Sequence, residues 1–277
     1  FSTLDNSIDD YLLYQGKKLQ LNKNAFNQIE KCNPKKEIFF VDGGQAELLD
    51  CASFSLHFLR VVAVSYQNLK KKNIEKLEMY CLTKAIEKEG RIYYQAKLFE
   101  TAGDFNQIAF NCEELEVASF NENLKVGQQR MPINSFASII RRFLELKLAK
   151  KMAINYPEAI ILIDGVFDFR YNVEEKLISS LPKNVAGIAK SSKLLTFNAR
   201  NPAVLLQDLS PLKNNCWYLQ VDRLLFFCKL HENSKHVFRY EGDANFLNNI
   251  CSYCIDPIFL GYPYGLIMAD KLARVSE

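Results

Sequence analysis

The chain has 277 residues, of which 48% are hydrophobic, and a formal net charge of +3. This length can hold one large domain or two small ones with a sizeable core, and the small net charge excludes a globally basic nucleic-acid binder, so nucleic-acid contacts must rest on local patches. No apolar run reaches the roughly 18 residues that a membrane span needs and no signal peptide pattern opens the sequence, so we expect a cytoplasmic protein without membrane contact.

The first half of the chain predicts a helical extension followed by strands. Residues 1–36 are polar, with helical spacing around Ile8–Leu13 and Phe26–Ile29, which predicts an N-terminal helical extension. The apolar run Glu37–Asp42 is followed by Gly43-Gly44, and this pattern predicts a buried strand that runs into a tight turn. Further strands are predicted at Ser53–Tyr66 and Ile92–Phe99, with the lysines Lys70-Lys71-Lys72 in a hairpin tip or loop between them.

The second half predicts alternating helices and strands. Asn134–Met152 has the broad apolar face of an amphipathic helix. Glu158–Asp164 is almost purely apolar before its aspartate, as expected for a strand buried on both faces of a sheet. Cys251 and Cys254 form the one CxxC motif, and because no second pair with zinc spacing follows, we expect buried thiols there. The other predicted elements are a helix at Val173–Ser180, strands at Val185–Lys190, within Cys216–Leu230 and at Val237–Tyr240, and a final helix from about Leu266.

Acidic residues occur at the ends of two predicted strands and on two predicted helices. Asp42 and Asp164 each end a buried strand and are each followed by glycine. In an open α/β sheet, ligands bind just beyond the carboxyl ends of the strands, although Asp-Gly is also a common turn dipeptide. Glu145 lies in the helix before the second strand, where an ordinary ion pair on the helix surface is the alternative. Asp270 lies among apolar residues of the last helix.

The order of these acids along the chain is strand, helix, strand and final helix, which is the order found in an RNase H-like fold. We therefore predict an α/β domain over residues 37–277 with an RNase H-like mixed β-sheet flanked by helices and extra β-strand embellishments. Clustered carboxylates are the preferred ligands of Mg²⁺ and Mn²⁺. Two such ions about 4 Å apart can activate a water molecule and stabilise the leaving oxygen of a phosphodiester.

Several segments of the sequence resemble the NurA nuclease domain and occur in the order of that family. They are Phe40-Val-Asp42-Gly-Gly44, Leu144-Glu145 with Ala149, Leu162-Ile-Asp164-Gly165, Gly187-Ile-Ala-Lys190-Ser-Ser192, and Gly261-Tyr-Pro-Tyr264 with Ala269-Asp270. The Gly-Ile-Ala-Lys-Ser-Ser and Gly-Tyr-Pro-Tyr segments are the distinctive ones. Together the segments span about residues 38 to 275.

The resemblance implies an activity and a set of partners. Members of the family are Mn²⁺-dependent nucleases with 5′-to-3′ exonuclease and single-strand endonuclease activity. They act with HerA, a hexameric DNA-translocating ATPase, in DNA-end resection during double-strand break repair, and they usually form dimers. The resemblance therefore implies DNA, a HerA-like ATPase and a second copy of the chain as partners.

The resemblance also assigns roles to individual acids. Asp42, Glu145 and Asp164 match the acidic metal ligands of the family and are the predicted catalytic acids, with Mn²⁺ as the expected cofactor and Mg²⁺ as the alternative. Asp270 stands where many archaeal members have histidine. Aspartate can still bind Mn²⁺, so Asp270 is a predicted fourth ligand, but the change puts in doubt any role that needs a neutral imidazole.

Four further residues are predicted to act on the substrate. Lys190 matches the family lysine after a Gly-Ile or Gly-Val strand, and it would hold a phosphate or offset charge in the transition state. Tyr262 matches the tyrosine before Pro263, and it would stack on a base, orient a phosphate or serve in packing. Arg142 and Lys193 are basic residues near the predicted site that would guide a nucleic-acid strand.

Two other functions fit parts of the sequence. Actin-like and sugar-kinase-like ATPases also use Asp-Gly turns, but Asp42-Gly-Gly-Gln-Ala46 lacks the hydroxyl residue that those proteins carry after the second glycine. A non-catalytic subunit could keep the fold and bind DNA or an ATPase. Loss of an acidic residue would favour such a subunit, and all the candidate acids are present.

Overall fold

The structure is a computed structural model, and it describes residues 11–14, 17–21, 25–111, 113–121, 125–126, 129–190 and 194–275. The strands in these ranges are β1 (Tyr11–Tyr14), β2 (Lys17–Gln20), β3 (Phe26–Gln28), β4 (Ile38–Asp50), β5 (Phe54–Gln67), β6 (Lys70–Lys88), β7 (Arg91–Ala102), β8 (Glu116–Ala118), β9 (Lys125–Val126), β10 (Gln129–Arg130), β11 (Ile160–Asp164), β12 (Val185–Ala189), β13 (Trp217–Asp222), β14 (Leu225–Lys229) and β15 (Phe238–Glu241). The α-helices are α1 (Phe136–Asn155), α2 (Asn172–Ser179), α3 (Pro202–Leu209), α4 (Leu247–Cys251) and α5 (Tyr264–Ala273). None of the helices in the described ranges is both long and apolar enough to cross a membrane.

The chain divides into two compact units. The larger unit consists of Glu37–Ile163, Phe167–Val185 and Gly265–Glu277, and the smaller unit consists of Phe1–Lys36, Asp164–Val166 and Ala186–Tyr264. The first 36 residues are thus grouped with later parts of the chain, and the predicted division into an extension and one domain stays a prediction.

The sheet of the larger unit has the strand order β11-β4-β5-β6-β7-β8. Strands β4 to β8 are antiparallel neighbours, whereas β11 is parallel to β4, with Ile163 paired to Val41. A parallel pair needs a long crossover, and α1 lies in the segment that returns the chain to β11. A mixed sheet with flanking helices confirms the predicted RNase H-like α/β class, and β7 and β8 extend the sheet as the predicted embellishments.

Helices cover both faces of the sheet around β4. Successive side chains of a strand point to opposite faces, and Phe39 and Val41 are buried in the same apolar core as Phe143 of α1. Phe40 points to the other face, where Gly265 of α5 lies against its ring. Helices α1 and α5 therefore pack on opposite sides of the same strand.

The contact between α5 and the sheet predicts a large effect of a small substitution. A Cβ atom at Gly265 would lie 2.1 Å from Cδ2 of Phe40. Because the ring is fully buried, we expect Gly265→Ala to lower the free energy of unfolding by about 1–3 kcal/mol, the usual cost of overpacking a core. Urea unfolding measures the change, and Lys271→Ala on the exposed side of α5 is the matched control. Equal stability of Gly265→Ala and the wild-type chain would contradict this close contact.

The smaller unit contains a sheet with the order β3-β13-β14-β15-β12, in which all neighbours are antiparallel. Its apolar core includes the fully buried Trp217 with Leu12 of β1 and Leu206 of α3. The predicted helical character of residues 1–36 is wrong where the structure describes them, because β1 and β2 form a hairpin and β3 pairs with β13. Pairing with a distant strand overrides the local helical spacing.

The predicted turn at Gly43-Gly44 is also wrong. Strand β4 continues through both glycines to Asp50, with Gly43 paired to Val61 and Gly44 to Arg60 of β5. Glycine within a strand can mark a place where another group approaches the backbone closely. The glycines therefore serve close packing here.

The long strand β6 has no counterpart among the predicted elements. Lys70-Lys71-Lys72 begins this strand, and the turn before it is formed by Asn68 and Leu69 with φ values of 52° and 63°. Two central residues with positive φ are typical of the two-residue turns that join hairpin strands. The many lysines and glutamates on the exposed side of β6 hid its alternation of buried and exposed residues. Helices α3 and α4 were likewise absent from the prediction, whereas the other predicted strands and helices are confirmed to within a few residues.

Candidate active site

Asp42 lies beside a glycine that is closely approached by helix α1. The half-buried side chain of Asp42 accepts a hydrogen bond from the Gly43 N–H at its Oδ1, over 2.8 Å. A Cβ atom at Gly43 would lie 2.6 Å from Oε1 of Glu145 and 3.0 Å from Cγ of Arg141. Because residue 43 has no side chain, the Glu145 carboxylate can reach the backbone next to Asp42. The Glu145 carboxylate thus lies against the backbone of the residue that follows Asp42.

Two arginines neutralise the Glu145 carboxylate. Glu145 is only 4% exposed, and its Oε1 lies 3.4 Å from Nη1 of Arg141 and its Oε2 3.5 Å from Nη1 of Arg142. Arg141 also donates a hydrogen bond to the carbonyl oxygen of Gly43. A buried carboxylate needs such compensation. The cations come from positions three and four residues earlier on the same helix, where side chains meet.

Arg142 connects Glu145 to a second buried acid. Its Nε lies 3.8 Å from Oε1 of Glu174, which is 7% exposed. The other oxygen of Glu174 accepts a hydrogen bond from the Arg170 N–H over 3.0 Å. Arg142 therefore lies between two carboxylates, and the predicted contact between Arg142 and nucleic acid stays a prediction.

Asp270 lies on the helix that covers the Asp42 face of the sheet. Gly44 faces the same side of β4 as Asp42, and a Cβ atom at Gly44 would lie 2.1 Å from the carbonyl oxygen of Ala273 in α5. Asp270 itself pairs with Arg274 over 2.6 Å, and its side chain is 41% exposed. The predicted fourth ligand is thus paired with a cation that directly follows its helix.

The smaller unit contains the second strand-end aspartate and the predicted lysine. Oδ2 of Asp164 lies 3.1 Å from Nζ of Lys190, and this Nζ lies 4.4 Å from the centre of the Tyr262 ring. Gly165 follows Asp164 with φ at 127°, a backbone conformation that favours glycine, and its N–H donates to the carbonyl of Ile188 over 2.7 Å. The two predicted residues Asp164 and Lys190 are therefore in direct contact.

Tyr262 has a packing role in the structure. Its ring is fully buried and lies 5.6 Å from the ring of Phe238 and 5.1 Å from that of Phe259, centre to centre. Since no face of the ring is open to a base, packing and the contact with Lys190 account for this position. The predicted nucleic-acid contact Lys193 lies outside the described residues.

The described residues contain no group of three or more His, Cys, Asp and Glu side chains arranged to hold a metal ion. Within the larger unit, the backbone register pairs Ile163 with Val41, and an aspartate follows each of these two residues in the sequence. The predicted ligand set of Asp42, Glu145, Asp164 and Asp270 stays a prediction.

Gly43, Arg141 and Glu174 lie around the site and are not among the predicted catalytic or metal-binding residues. The sequence at Gly43 is compatible with a turn. Only the second glycine, Gly44, indicates that another group could approach the backbone closely here. Arg141 carried the signal of helix spacing, because it stands four residues before Glu145. Glu174 carried no signal, since nothing local shows that it would be buried beside Arg142.

Comparisons with known proteins give one family model that matches almost the whole chain and several solved structures of low sequence identity. The model described as the NurA domain matches residues 36–275, and no curated protein matches the chain. Among solved structures, human ENDOV is 14% identical with a TM-score of 0.39, and 91% of each chain is covered. Endonuclease V of Ciona intestinalis, in complex with a 24mer DNA containing an inosine followed by a ribo-adenosine, is 14% identical with a TM-score of 0.42, covering 88% of this chain and 90% of that one. Endonuclease V of Bacillus subtilis is 11% identical with a TM-score of 0.37, covering 91% and 85%.

Proposed function

The chain belongs to the NurA domain family, a family of nucleases, and from this membership we propose that it is a Mn²⁺-dependent deoxyribonuclease. The proposed activities are 5′-to-3′ exonuclease and single-strand endonuclease cleavage by metal-assisted hydrolysis of phosphodiesters. The observation that carries the proposal is the approach of the buried Glu145 carboxylate to Gly43, the residue that hydrogen-bonds Asp42.

The residues of the larger unit fit a hard divalent cation in number and type. Mg²⁺ keeps several water molecules and is often bound through one or two carboxylates together with substrate phosphates. Asp42 and Glu145 would supply the two carboxylates for such an ion. Asp164 and Asp270 are the further proposed ligands. A bound ion would activate water for attack and stabilise the leaving oxygen.

The remaining residues of the proposed mechanism act through charge and position. Arg141 and Arg142 hold the Glu145 carboxylate in place against Gly43. Lys190 has a half-exposed side chain with its Nζ beside Asp164, and this ammonium would offset the negative charge that develops on a phosphate. The buried ring of Tyr262 would keep Lys190 in position, because Nζ of Lys190 lies over this ring.

The proposed partners follow from the family. The proposed substrate is DNA, either at its ends or as single strands. The proposed partner is a HerA-like hexameric ATPase that acts as the motor in double-strand break repair, and the proposed assembly is a homodimer. The kinase-like alternative is disfavoured because β4 runs straight through Gly43 and Gly44, whereas those ATPases need a phosphate-binding turn after the aspartate.

A cleavage assay with two differently labelled ends tests the proposal. Single-stranded DNA labelled at the 5′ or 3′ end is incubated with the full chain in Mn²⁺, Mg²⁺, Ca²⁺ or chelator. We expect cleavage in Mn²⁺, none in chelator, and early release of the 5′ label because digestion starts there. Intact DNA across all the metals would overturn the nuclease proposal and leave the non-catalytic subunit as the better reading. Cleavage in chelator would overturn the metal dependence.

A further inference from the structure

The larger unit has an exposed aromatic row on the face of its sheet that α1 does not cover. Phe58 of β5 pairs with Tyr80 of β6, and Tyr80 pairs with Phe99 of β7. Directly paired residues point to the same face, so the three rings form one row across three strands, here called the aromatic row. Phe58 and Tyr80 pack edge to face with ring centres 5.4 Å apart. Tyr80 is 40% and Phe99 43% exposed, so the row presents ring surface to solvent.

Cationic side chains lie over the rings at both ends of this row. The guanidinium of Arg60 lies 5.8 Å from the centre of the Phe58 ring, and Nζ of Lys97 lies 5.2 Å from that of the Phe99 ring. Lys84 lies on the same face of β6, four residues beyond Tyr80. The nearest carboxylate on β6 is Glu78, which pairs with Arg60 and with Lys76. The surface around the row is therefore positively charged.

The aromatic row shares its sheet face with Asp42. Strand register pairs Asp42 with Val62, Gly44 with Arg60 and Ala46 with Phe58, and residues two apart in a strand point to the same side. Four residues separate Asp42 from Ala46, which corresponds to about 13 Å along the strand at ~3.3 Å per residue. The end of α5 lies over Gly44 between these two positions, and Arg60 donates a hydrogen bond to the carbonyl oxygen of Arg274, so the row and Asp42 share one face but are separated by this helix end.

We propose that the aromatic row is a binding surface for single-stranded nucleic acid. Single strands expose the faces of their bases, and proteins bind them without sequence preference by combining stacking on aromatic rings with cations that track the phosphates. In duplex DNA the faces of the bases are stacked on one another, so they cannot stack on these rings. This inference rests on the proposed nuclease function and adds the surface that receives the substrate.

A binding assay without catalysis tests the surface. A fluorescein-labelled oligothymidylate is titrated with the full chain in chelator, and anisotropy gives the dissociation constant. We expect Tyr80→Ala to weaken binding about tenfold, because stacking of one base contributes ~1–3 kcal/mol, while Tyr80→Phe retains the wild-type affinity. Lys97→Ala should lower the slope of log affinity against log salt by about 0.7, the value for one lost phosphate contact on a single strand.

The matched control is Phe120→Ala. Phe120 is 56% exposed and has the Arg130 guanidinium 3.8 Å from its ring centre, but it lies outside the aromatic row. Its replacement should leave the affinity unchanged. Wild-type binding by Tyr80→Ala, or no binding of the oligothymidylate by the wild-type chain, would overturn the proposal.

Two outcomes separate this inference from others. Conversion of a dimer to a monomer by Tyr80→Ala, with affinity for the single strand retained, would show that a second copy of the chain occupies the face and would overturn the inference. Since the assay contains no metal, it reports on binding even where the chain fails to cleave DNA. Normal cleavage together with wild-type binding by Tyr80→Ala would remove the aromatic row and keep the nuclease proposal.

Discussion

Replacing Asp42 with asparagine should reduce DNA cleavage by at least about 100-fold, the upper range for loss of a residue that only supports a metal ligand. Asparagine keeps the oxygen that accepts the Gly43 N–H but removes the negative charge that a divalent cation requires. The fold should be retained, since the side chain is half-buried and keeps its shape. Initial rates at saturating Mn²⁺ measure the loss, and the thermal midpoint reports on folding.

Asp50→Asn is the control for this substitution. Asp50 lies on the same strand as Asp42, is exposed, and accepts a hydrogen bond from Asn134 over 3.2 Å. The same change of charge on β4 should leave the cleavage rate within a few-fold of the wild-type rate. A normal rate for Asp42→Asn would show that Asp42 is not a metal ligand.

The substitution Gly43→Ala should also abolish most of the activity, at little cost in stability. The added Cβ would meet Oε1 of Glu145 at 2.6 Å, and the carboxylate is the mobile end of a side chain, so it can move away. Displacing a catalytic group by about 1 Å can cost ~100-fold in rate. We expect a loss of that size in the cleavage rate, together with weaker Mn²⁺ binding in a calorimetric titration.

Gly44→Ala separates the two kinds of close contact. At this position the Cβ would lie 2.1 Å from the backbone carbonyl oxygen of Ala273, and a helix backbone cannot move aside as a carboxylate can. We therefore expect Gly44→Ala to lower the free energy of unfolding by about 1–3 kcal/mol. Unchanged activity of Gly43→Ala would show that the position of Glu145 against Gly43 does not matter for cleavage. Equal destabilisation by Gly43→Ala and Gly44→Ala would show that the loss of activity follows from a loss of folding.

The strongly patterned parts of the larger unit could be predicted from the sequence. The apolar run before Asp164 is short, uninterrupted and bounded by turn residues, and it forms β11. The helix before it shows the spacing of a buried face, and it forms α1. In both segments the residues that decide the structure are close in sequence. Glu145 could be placed on a helix for the same reason.

Other features depended on residues that are distant in sequence. Gly43 has the same local pattern in a turn as in a strand, and only the approach of Glu145 distinguishes the two. Phe26 belongs to a strand because it pairs with Leu219, almost two hundred residues later. Strand β6 was hidden by its charged exposed side, although its buried residues alternate regularly from Leu77 to Thr83. The ion pairs of Asp164 and Asp270 could not be predicted either, because the partners of a side chain depend on how the chain folds.

The parallel pairing of β11 with β4 has a consequence for the order of events during synthesis. Strands β4 to β7 are joined by short connections, so their pairing closes only small loops, whereas Ile160 must find Ile38 across more than half of the larger unit's sequence. Contacts between distant residues close large loops and form slowly. A growing chain that has emerged only as far as β7 already carries Asp42, but it lacks Glu145 and Asp164. A chain that ends at β7 therefore holds none of the proposed acid pairs, and the first of them, Asp42 with Glu145, can form only after α1 has been synthesised.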